Sequence, residues 1–491
     1  MAYKTGNRMQ SNLLPHCMDD YITADDPVRV YDAFVDALDF IQLGIDMESV
    51  KEGADTYWPK DMVKLLVYGY SYGHRSSRKL ERACHHNLSF IWLMGGLTPD
   101  YRTIARFRDT HKEALRNILK QSVRMCLKLN LIDGHSLFVD STIIKANASL
   151  SKTWDPQRCQ KALAAIDREI DQLMDEVQTI DQSEESQKSL SELKQKLSQT
   201  QQLKKKVESI TSELQKRQIR NSSKAKTFYN TTDPECLKIH KGHKTQAGYN
   251  VQAVVDGKNG LIVHAESTTV HNDYSQLSSQ ITQAQEVLGH SPTQVSADSG
   301  YYSLVDFEKI AETITIVVPS PQDVSKERSS SKQRFSKDEF IYDTQSDTYI
   351  CPAGKKLPFH SRHRKYRSSF YKAHPEDCQS CIHWGVCTSS VHGRTVGRLF
   401  EEERKIELKN IYESPSGQKI YQRRKEVCEL PFGHIKQNCY AQQFLLRGQS
   451  STQAEVGILS TCFNLTRMIN LVGALNLKEH LKNLKINPNI N

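Results

Sequence analysis

Two aspartates and a cluster of four cysteines are the residues of this 491-residue chain whose types and spacing first suggest chemistry. Asp140 closes the apolar run Ser136-Leu137-Phe138-Val139, and Asp298 closes Gln294-Val295-Ser296-Ala297. Small polar residues follow each (Ser141-Thr142 and Ser299-Gly300). An acid that ends a buried strand can project past the sheet edge into a cleft. Taken singly, each reads first as a turn former, because Asp commonly closes strands. Together, such carboxylates are hard oxygen donors that suit Mg²⁺ or Mn²⁺, ions that keep open positions for water and phosphate oxygens. The thiols Cys351, Cys378, Cys381 and Cys387 fall within 37 residues, with a Cys-x2-Cys-x5-Cys core. Four thiolates can bind a structural Zn²⁺ tetrahedrally, and free thiols are the alternative. His360, His363, His374 and His383 could each replace one ligand.

The elements that must position these residues change in character along the chain. The spacing predicts helices over 61–72, 75–87 and 99–130, the last opening at Thr98-Pro99-Asp100. Its apolar stripe is Ile104, Phe107, His111, Leu115, Ile118 and Leu119. Arg102, Arg106, Lys112, Arg116, Lys120 and Arg124 take the opposite face. A short strand ends at Asp140, and GYNVQAVVD (248–256) and LIVHAESTTV (261–270) form a hairpin across Gly257-Lys258-Asn259-Gly260. A helix over 274–288, with Asp273 as its cap, precedes strands at 294–298 and 314–318. A late helix spans about 417–436. Between the first strand and the hairpin, Ile166, Ile170, Leu173, Val177 and Ile180 step by 4, 3, 4 and 3 residues. Leu190 to Leu214 resumes the spacing, which predicts an antiparallel helical arm. A second insertion holds the cysteines and the basic, aromatic run Arg362, Arg364, Lys365, Tyr366 and Arg367, suited to a DNA backbone or to a solvated loop.

Net charge is +9, unevenly spread: −7 over 1–61, +8 over 75–128 and +9 over 351–447. Separated basic blocks favour a polyanionic partner, since each neutralised phosphate releases counterions; an ordinary solvated surface is the other reading. No Walker loop, dinucleotide fingerprint or Ser-His-Asp arrangement competes with the carboxylates. No apolar run approaches the roughly 18 residues of a membrane span, and the N-terminal residues lack a secretory apolar stretch, so a soluble, cytoplasmic protein is expected. Without export, thiols or metal ligation are expected rather than disulfides.

Strand, hairpin, helix, two strands and a late helix follow the layout of a ribonuclease-H-like α/β fold, a mixed sheet flanked by helices. In that fold the first and fourth strands are neighbours, and the late helix supplies a third acid. The chain resembles the DDE transposases of bacterial insertion sequences. The matching segments are FVDSTIIKANAS (138–149), TTDPEC (231–236), GYNVQAVVD, HND (271–273), SADSGYYS (296–303), YQRRKEVCELPFGHIKQN (421–438) and FLLRG (444–448). In the N-terminal part, the segment from Tyr68 to Arg108 resembles their helical domain. The resemblance implies Asp140, Asp298 and Glu429 as the catalytic acids holding two Mg²⁺ or Mn²⁺ ions, with Glu426 the rival for the third place. Lys425 stands where the family has Arg, and Lys436 matches the family's lysine. The resemblance further implies metal-dependent cleavage at element ends and strand transfer of a 3′-hydroxyl, by a homodimer acting on double-stranded DNA near the nucleoid. Lys425, Lys436, Arg102, Arg106, Arg364 and Arg367 would hold DNA. A DNA-binding relic without cleavage, or a nuclease of the same fold, are the rival readings. The division expected is a helical DNA-binding domain (1–133) and a catalytic domain (134–327 and 397–491). The helical arm (155–222) and the cysteine-containing basic insert (328–396) would interrupt the latter.

Overall fold

The computed structural model describes residues 17–47, 56–182, 187–220, 227–241, 244–321 and 335–484. The turn of the arm at 183–186 and most of the Ser/Lys-rich stretch at 328–337 lie outside the described residues. The chain divides into two compact units, Met1–Asp273 with Ser279–Pro292 and Glu426–Asn491, and Tyr274–Ser278 with Thr293–Lys425. The architecture is mixed α/β.

The first unit opens with helices α1 (Val28–Asp36), α2 (Pro59–Ser71), α3 (Ser77–His86), α4 (Leu88–Leu93), α5 (Tyr101–Thr110) and α6 (Lys112–Lys128). The single helix expected over 99–130 is thus two, broken at His111, whose ψ of 32° leaves the helical region. Asp100 caps α5 by accepting from the Arg102 and Thr103 N–H groups at 2.7 and 3.0 Å, which satisfies two orphan donors of the first turn. Strand β1 (Ser136–Lys145) follows, then β2 (Thr153–Trp154), the arm helices α7 (Pro156–Gln182) and α8 (Gln187–Arg220), and β3 (Tyr229–Asn230). Cys159, Ile166, Val207, Ile210 and Leu214 are the buried core of the arm, and β2 pairs with β3 at its base.

Strands β4 (Leu237–Lys241), β5 (Lys244–Asp256) and β6 (Ile262–Thr268) complete the unit's sheet. β5 is its axis. One edge pairs antiparallel with β1, from Leu137↔Asp256 to Lys145↔Gly248, and the other carries β4 and then β6. β5 is buried on both faces from Ala247 to Asp256, with the polar side chains of Asn250, Gln252 and Asp256 buried among its apolar ones. Gly260, at φ +69°, closes the β5–β6 turn. A helix at Gln449–Val472, buried along most of its length, packs against α2, α6 and β6. A Cβ at Gly457 would lie 2.8 Å from the Arg116 Cα, so only glycine permits this crossing.

In the second unit, β7 (Gln294–Ser296) and β8 (Thr315–Val317) pair in parallel, and a helix at Glu402–Glu413 packs on β8. The cysteine-bearing insert is a five-stranded antiparallel sheet. Its strands are β9 (Ile341–Asp343), β10 (Thr348–Ile350), β11 (Lys356–His363), β12 (Ser368–Lys372) and β13 (Thr395–Leu399), in spatial order β13-β12-β11-β10-β9.

Candidate active site

Asp140 does not end its strand: β1 continues to Lys145, because Ser141 to Lys145 keep pairing with Gln252 to Gly248. Residues 138, 140, 142 and 144 therefore share one face of β1. Phe138 and Ile144 are buried there, and Asp140 and Thr142 are half-buried. The Asp140 carboxylate accepts from the Ser141 N–H at 2.8 Å, a contact that holds it against the backbone.

The late helix, Pro415–Gln437, reaches the same face. The Lys436 ammonium donates to the Thr142 hydroxyl, two residues beyond Asp140. Toward the other end of β1, Leu430 packs 4.0 Å from where a Cβ on Gly260 would lie, and Gly260 belongs to the turn beyond the Leu137↔Asp256 pair. The helix thus runs alongside β1, with Leu430 near the strand's start and Lys436 near its end. Arg424, Cys428, Pro431 and Ile435 face inward, whereas Lys425, Glu426 and Glu429 are exposed. At 3.6 residues per turn, Glu429 lies about 20° around the helix from Lys436, and Glu426 about 80°. Glu429 therefore shares the flank that Lys436 turns to β1. Lys425 falls on it too, its ammonium 5.6 Å from the centre of the Tyr421 ring.

Asp298, in the second unit, stands two residues past β7 as the cap of a short 3₁₀ turn, Ser299–Tyr301. It accepts from the Gly300 N–H at 2.8 Å. Like Asp140, it is half-buried. Among the described residues, no three His, Cys, Asp or Glu side chains close around one point as a finished metal site.

Asp273 does not cap the following helix, α9 (Leu277–Leu288). Asp306 takes that role, accepting from the Ser278 N–H at 3.0 Å and hydroxyl at 2.6 Å. Asp273 instead accepts from the Ser141 hydroxyl and from the Asn250 and Gln252 amides, at 2.9, 2.8 and 2.6 Å. These donors lie on the face of the sheet opposite Asp140, so Asp273 buttresses β1 rather than joining its carboxylate. Sequence reasoning missed this because Ser141 and Asp273 are 132 residues apart and share no motif.

The basic candidates differ in circumstance. Arg102 and Arg106 are exposed on α5. The Arg78 and Arg102 guanidinium groups lie 5.1 and 5.7 Å from the centre of the Tyr101 ring, a basic and aromatic patch. Arg364 is exposed in the β11–β12 turn. Arg367, in the left-handed conformation at φ 44°, is already bonded to Glu401 and Glu308. The four cysteines line one cavity together with Lys355, Asp377 and His383. Of the histidines considered as ligands, His383 alone is among its lining residues.

Two family models match this chain. Residues 16–110 match one described as "Transposase domain (DUF772)", and residues 350–469 match one described as "Transposase DDE domain". These matches support a DDE-type transposase. The second match contains Glu426, Glu429, Lys436 and the four clustered cysteines; neither match reaches Asp140 or Asp298. DDE transposases generally use divalent metal ions, and the matches support DNA transposition as the activity of this chain. No curated protein matches it. A solved structure, the piggyBac transposase synaptic complex with hairpin DNA, is similar at 11% identity, covering 94% of this chain and 80% of that one. The TM-score is 0.32, too low to add to the topology described above.

Proposed function

We propose that this transposase cuts DNA at the ends of its own element and joins the freed 3′-hydroxyl to target DNA, with Asp140, Asp298 and Glu429 as the acids of one centre. The finer fold reading is ribonuclease-H-like: β1, β5, β6, β7 and β8 are its five strands in chain order, and the Pro415–Gln437 helix is its late helix. Two observations support it: β5 lies antiparallel between β1 and β6, and β7 is parallel to β8. The observation that carries the functional reading is Lys436 on the Asp140 face of β1, brought there by a helix inside the DDE-domain match.

The donor set fits hard divalent cations, since all three side chains are carboxylates and none is fully buried. Asp140, Asp298 and Glu429 would hold two Mg²⁺ or Mn²⁺ ions, which when bound activate the attacking oxygen and relieve charge on the leaving one. The chain's own groups do the positioning. Backbone N–H groups of Ser141 and Gly300 fix the first two carboxylates. Lys436 can exchange the Thr142 hydroxyl for a phosphate oxygen, and Lys425 lies on the same flank. In strand transfer the 3′-oxygen forms a new bond to the target phosphorus as the old phosphorus–oxygen bond breaks. The attacking hydroxyl loses its proton, and the displaced 3′-oxygen takes one up. One phosphodiester replaces another, so no nucleotide cofactor is required.

The Tyr101 patch with Arg102 and Arg106 would bind the element's ends, assigning residues 1–133 to DNA binding. Arg364 and Arg367 of the insert would add backbone contacts, Arg367 by giving up its carboxylate partners. Two ends must be handled together, so a homodimer on DNA is proposed, with the α7–α8 arm as a contact. The site of action is the bacterial cytoplasm. The test supplies a labelled, pre-cut 3′-hydroxyl end, plasmid target and Mg²⁺. Joined product is expected; cleavage alone would indicate a nuclease, and bound DNA alone a DNA-binding relic.

A further inference from the structure

The insert sheet has little with which to hold itself together. Its buried core is Phe340, Tyr349, Leu357, Tyr371, Ala373 and Val396, and Cys351, Cys378 and Cys387 pack against that core. Six buried side chains are few for an insert of this length, and small sheets with so little apolar burial commonly rely on a metal or disulfide staple. All twelve cysteines are free thiols, which removes the disulfide.

The backbone around the sulphur atoms is arranged for negative charge. Cys351 Sγ accepts from the Lys355 N–H at 3.3 Å, Cys378 Sγ from the Arg394 N–H at 3.4 Å, and Cys381 Sγ from the His383 N–H at 3.4 Å. Donors aimed at sulphur stabilise a thiolate over a thiol and orient it as a ligand. Two tight turns present these atoms. At Cys351-Pro352-Ala353-Gly354-Lys355, the Cys351 N–H donates to the Lys355 carbonyl at 2.9 Å. The Gly354 N–H donates back to Cys351 at 2.8 Å, with Gly354 at φ +73°. In the second turn the Cys381 N–H donates to the Cys378 carbonyl at 3.2 Å. Both turns, and Cys387 beyond them, face the cavity that all four cysteines line.

We propose that Cys351, Cys378, Cys381 and Cys387 form a four-thiolate site for one structural Zn²⁺. An all-sulphur tetrahedral donor set selects zinc over the harder ions of a carboxylate centre. The ion would tie the β10–β11 turn to the segment after β12, fastening the two ends of the insert's core. Arg394 and Lys355 line the cavity as cations that offset a centre of net negative charge. The sulphur atoms line the cavity without yet meeting at one point, so binding draws the side chains inward to zinc–sulphur distances of about 2.3 Å. The His383 ring packs at a 59° tilt and a 4.7 Å centroid distance against Phe335, another residue of the cavity wall.

The test uses the full-length transposase purified from zinc-containing medium, with metal content measured by mass spectrometry and the coordination read from Co²⁺-exchanged protein. About one zinc per chain is expected, with the intense sulphur-to-cobalt charge transfer of a tetrahedral thiolate site. Cys378→Ser with Cys387→Ser should lose the ion, whereas Cys17→Ser and His383→Gln should keep it. If the double variant does not fold, the wild-type zinc content and cobalt spectrum still decide. Folded protein that stays free of zinc after equilibration overturns the proposal. Zinc retained in a folded double variant, zinc lost in His383→Gln, or iron found in place of zinc overturns it as well.

Discussion

Glu455→Gln is the substitution whose consequence follows most directly from the packing of the first unit. Glu455, on the Gln449–Val472 helix, is fully buried and pairs with Arg75, itself 5% exposed. Arg75 also donates to the carbonyls of Tyr440 and Gln443 at 2.5 and 2.7 Å. The Glu455 carboxylate takes the Leu445 and Leu446 N–H groups at 3.0 and 3.2 Å. The cluster clamps residues 440–446, the segment that leaves the late helix and lies along the end of β1, where Phe444 N–H donates to Lys145 at 2.8 Å. Removing the negative charge strands a buried guanidinium, at a cost of about 3–5 kcal/mol. At 1.4 kcal/mol per factor of ten, the lower figure lowers protection against local opening by about a hundredfold or more. Native-state hydrogen exchange should show this loss at Phe444, Leu445 and Leu446, with strand transfer falling in parallel. An Arg75→Met, Glu455→Met double variant should recover protection only in part: it removes the stranded charge, but it leaves the Leu445 and Leu446 N–H groups and the Tyr440 and Gln443 carbonyls without their side-chain partners. Protection at Phe444 within threefold of wild type in Glu455→Gln would refute the clamp.

Asp140→Asn should abolish cleavage while leaving DNA affinity within a few fold, as gel-shift and nicking assays on one preparation would show. Glu429→Gln should be equally inactive and Glu426→Gln should retain activity; the reverse outcome would transfer the third acid to Glu426. Lys436→Gln should weaken binding of a pre-cut end and reduce the slope of log affinity against log salt by about one, the signature of a single lost phosphate contact. His264 should impose an acid limit on stability. Burial, with Arg116 and Lys120 nearby, pushes its imidazole from 6.5 down to about 3. The unfolded chain therefore takes up a proton below pH 6.5 that the folded chain refuses. The neutral ring's contribution is complete above that pH and is lost at about 1.4 kcal/mol per unit as pH falls toward 3. Unfolding free energies from denaturant titrations at pH 7 and 5 should differ by about 2 kcal/mol more in wild type than in His264→Leu.

What could be read from the residues was local or periodic. Gly257 to Gly260 between two β-rich runs predicts the β5–β6 hairpin, and the 4–3 spacing from Ile166 predicts the arm; both elements are present. Asp140 was misplaced because Asp-Ser-Thr carries turn chemistry, whereas pairing with β5, a non-local term, extends the strand to Lys145. The break at His111 has no Gly or Pro to announce it. The insert's sheet was hidden because its strands are short and irregularly patterned, β9 and β10 spanning three residues each. β11, for instance, buries only Leu357 fully and so shows no clean alternation. Arg75 and Glu455 are 380 residues apart, and no rule of sequence foretells that two charges will be buried against each other. The flank shared by Lys425, Glu429 and Lys436 was visible from helical spacing; that it turns toward β1 required the Lys436–Thr142 contact.

The proposed centre requires three carboxylates to hold the same pair of ions, and ion-directed cleavage of the polypeptide tests that directly. Fe²⁺ is loaded in place of Mg²⁺ on the DNA-bound transposase, ascorbate and peroxide are added, and the fragments are mapped by mass spectrometry. Backbone cuts are predicted beside Asp140, Asp298 and Glu429, suppressed together by excess Mg²⁺ and missing from Asp140→Asn. Cuts beside only one of the three acids, or cuts that persist in Asp140→Asn, would contradict it.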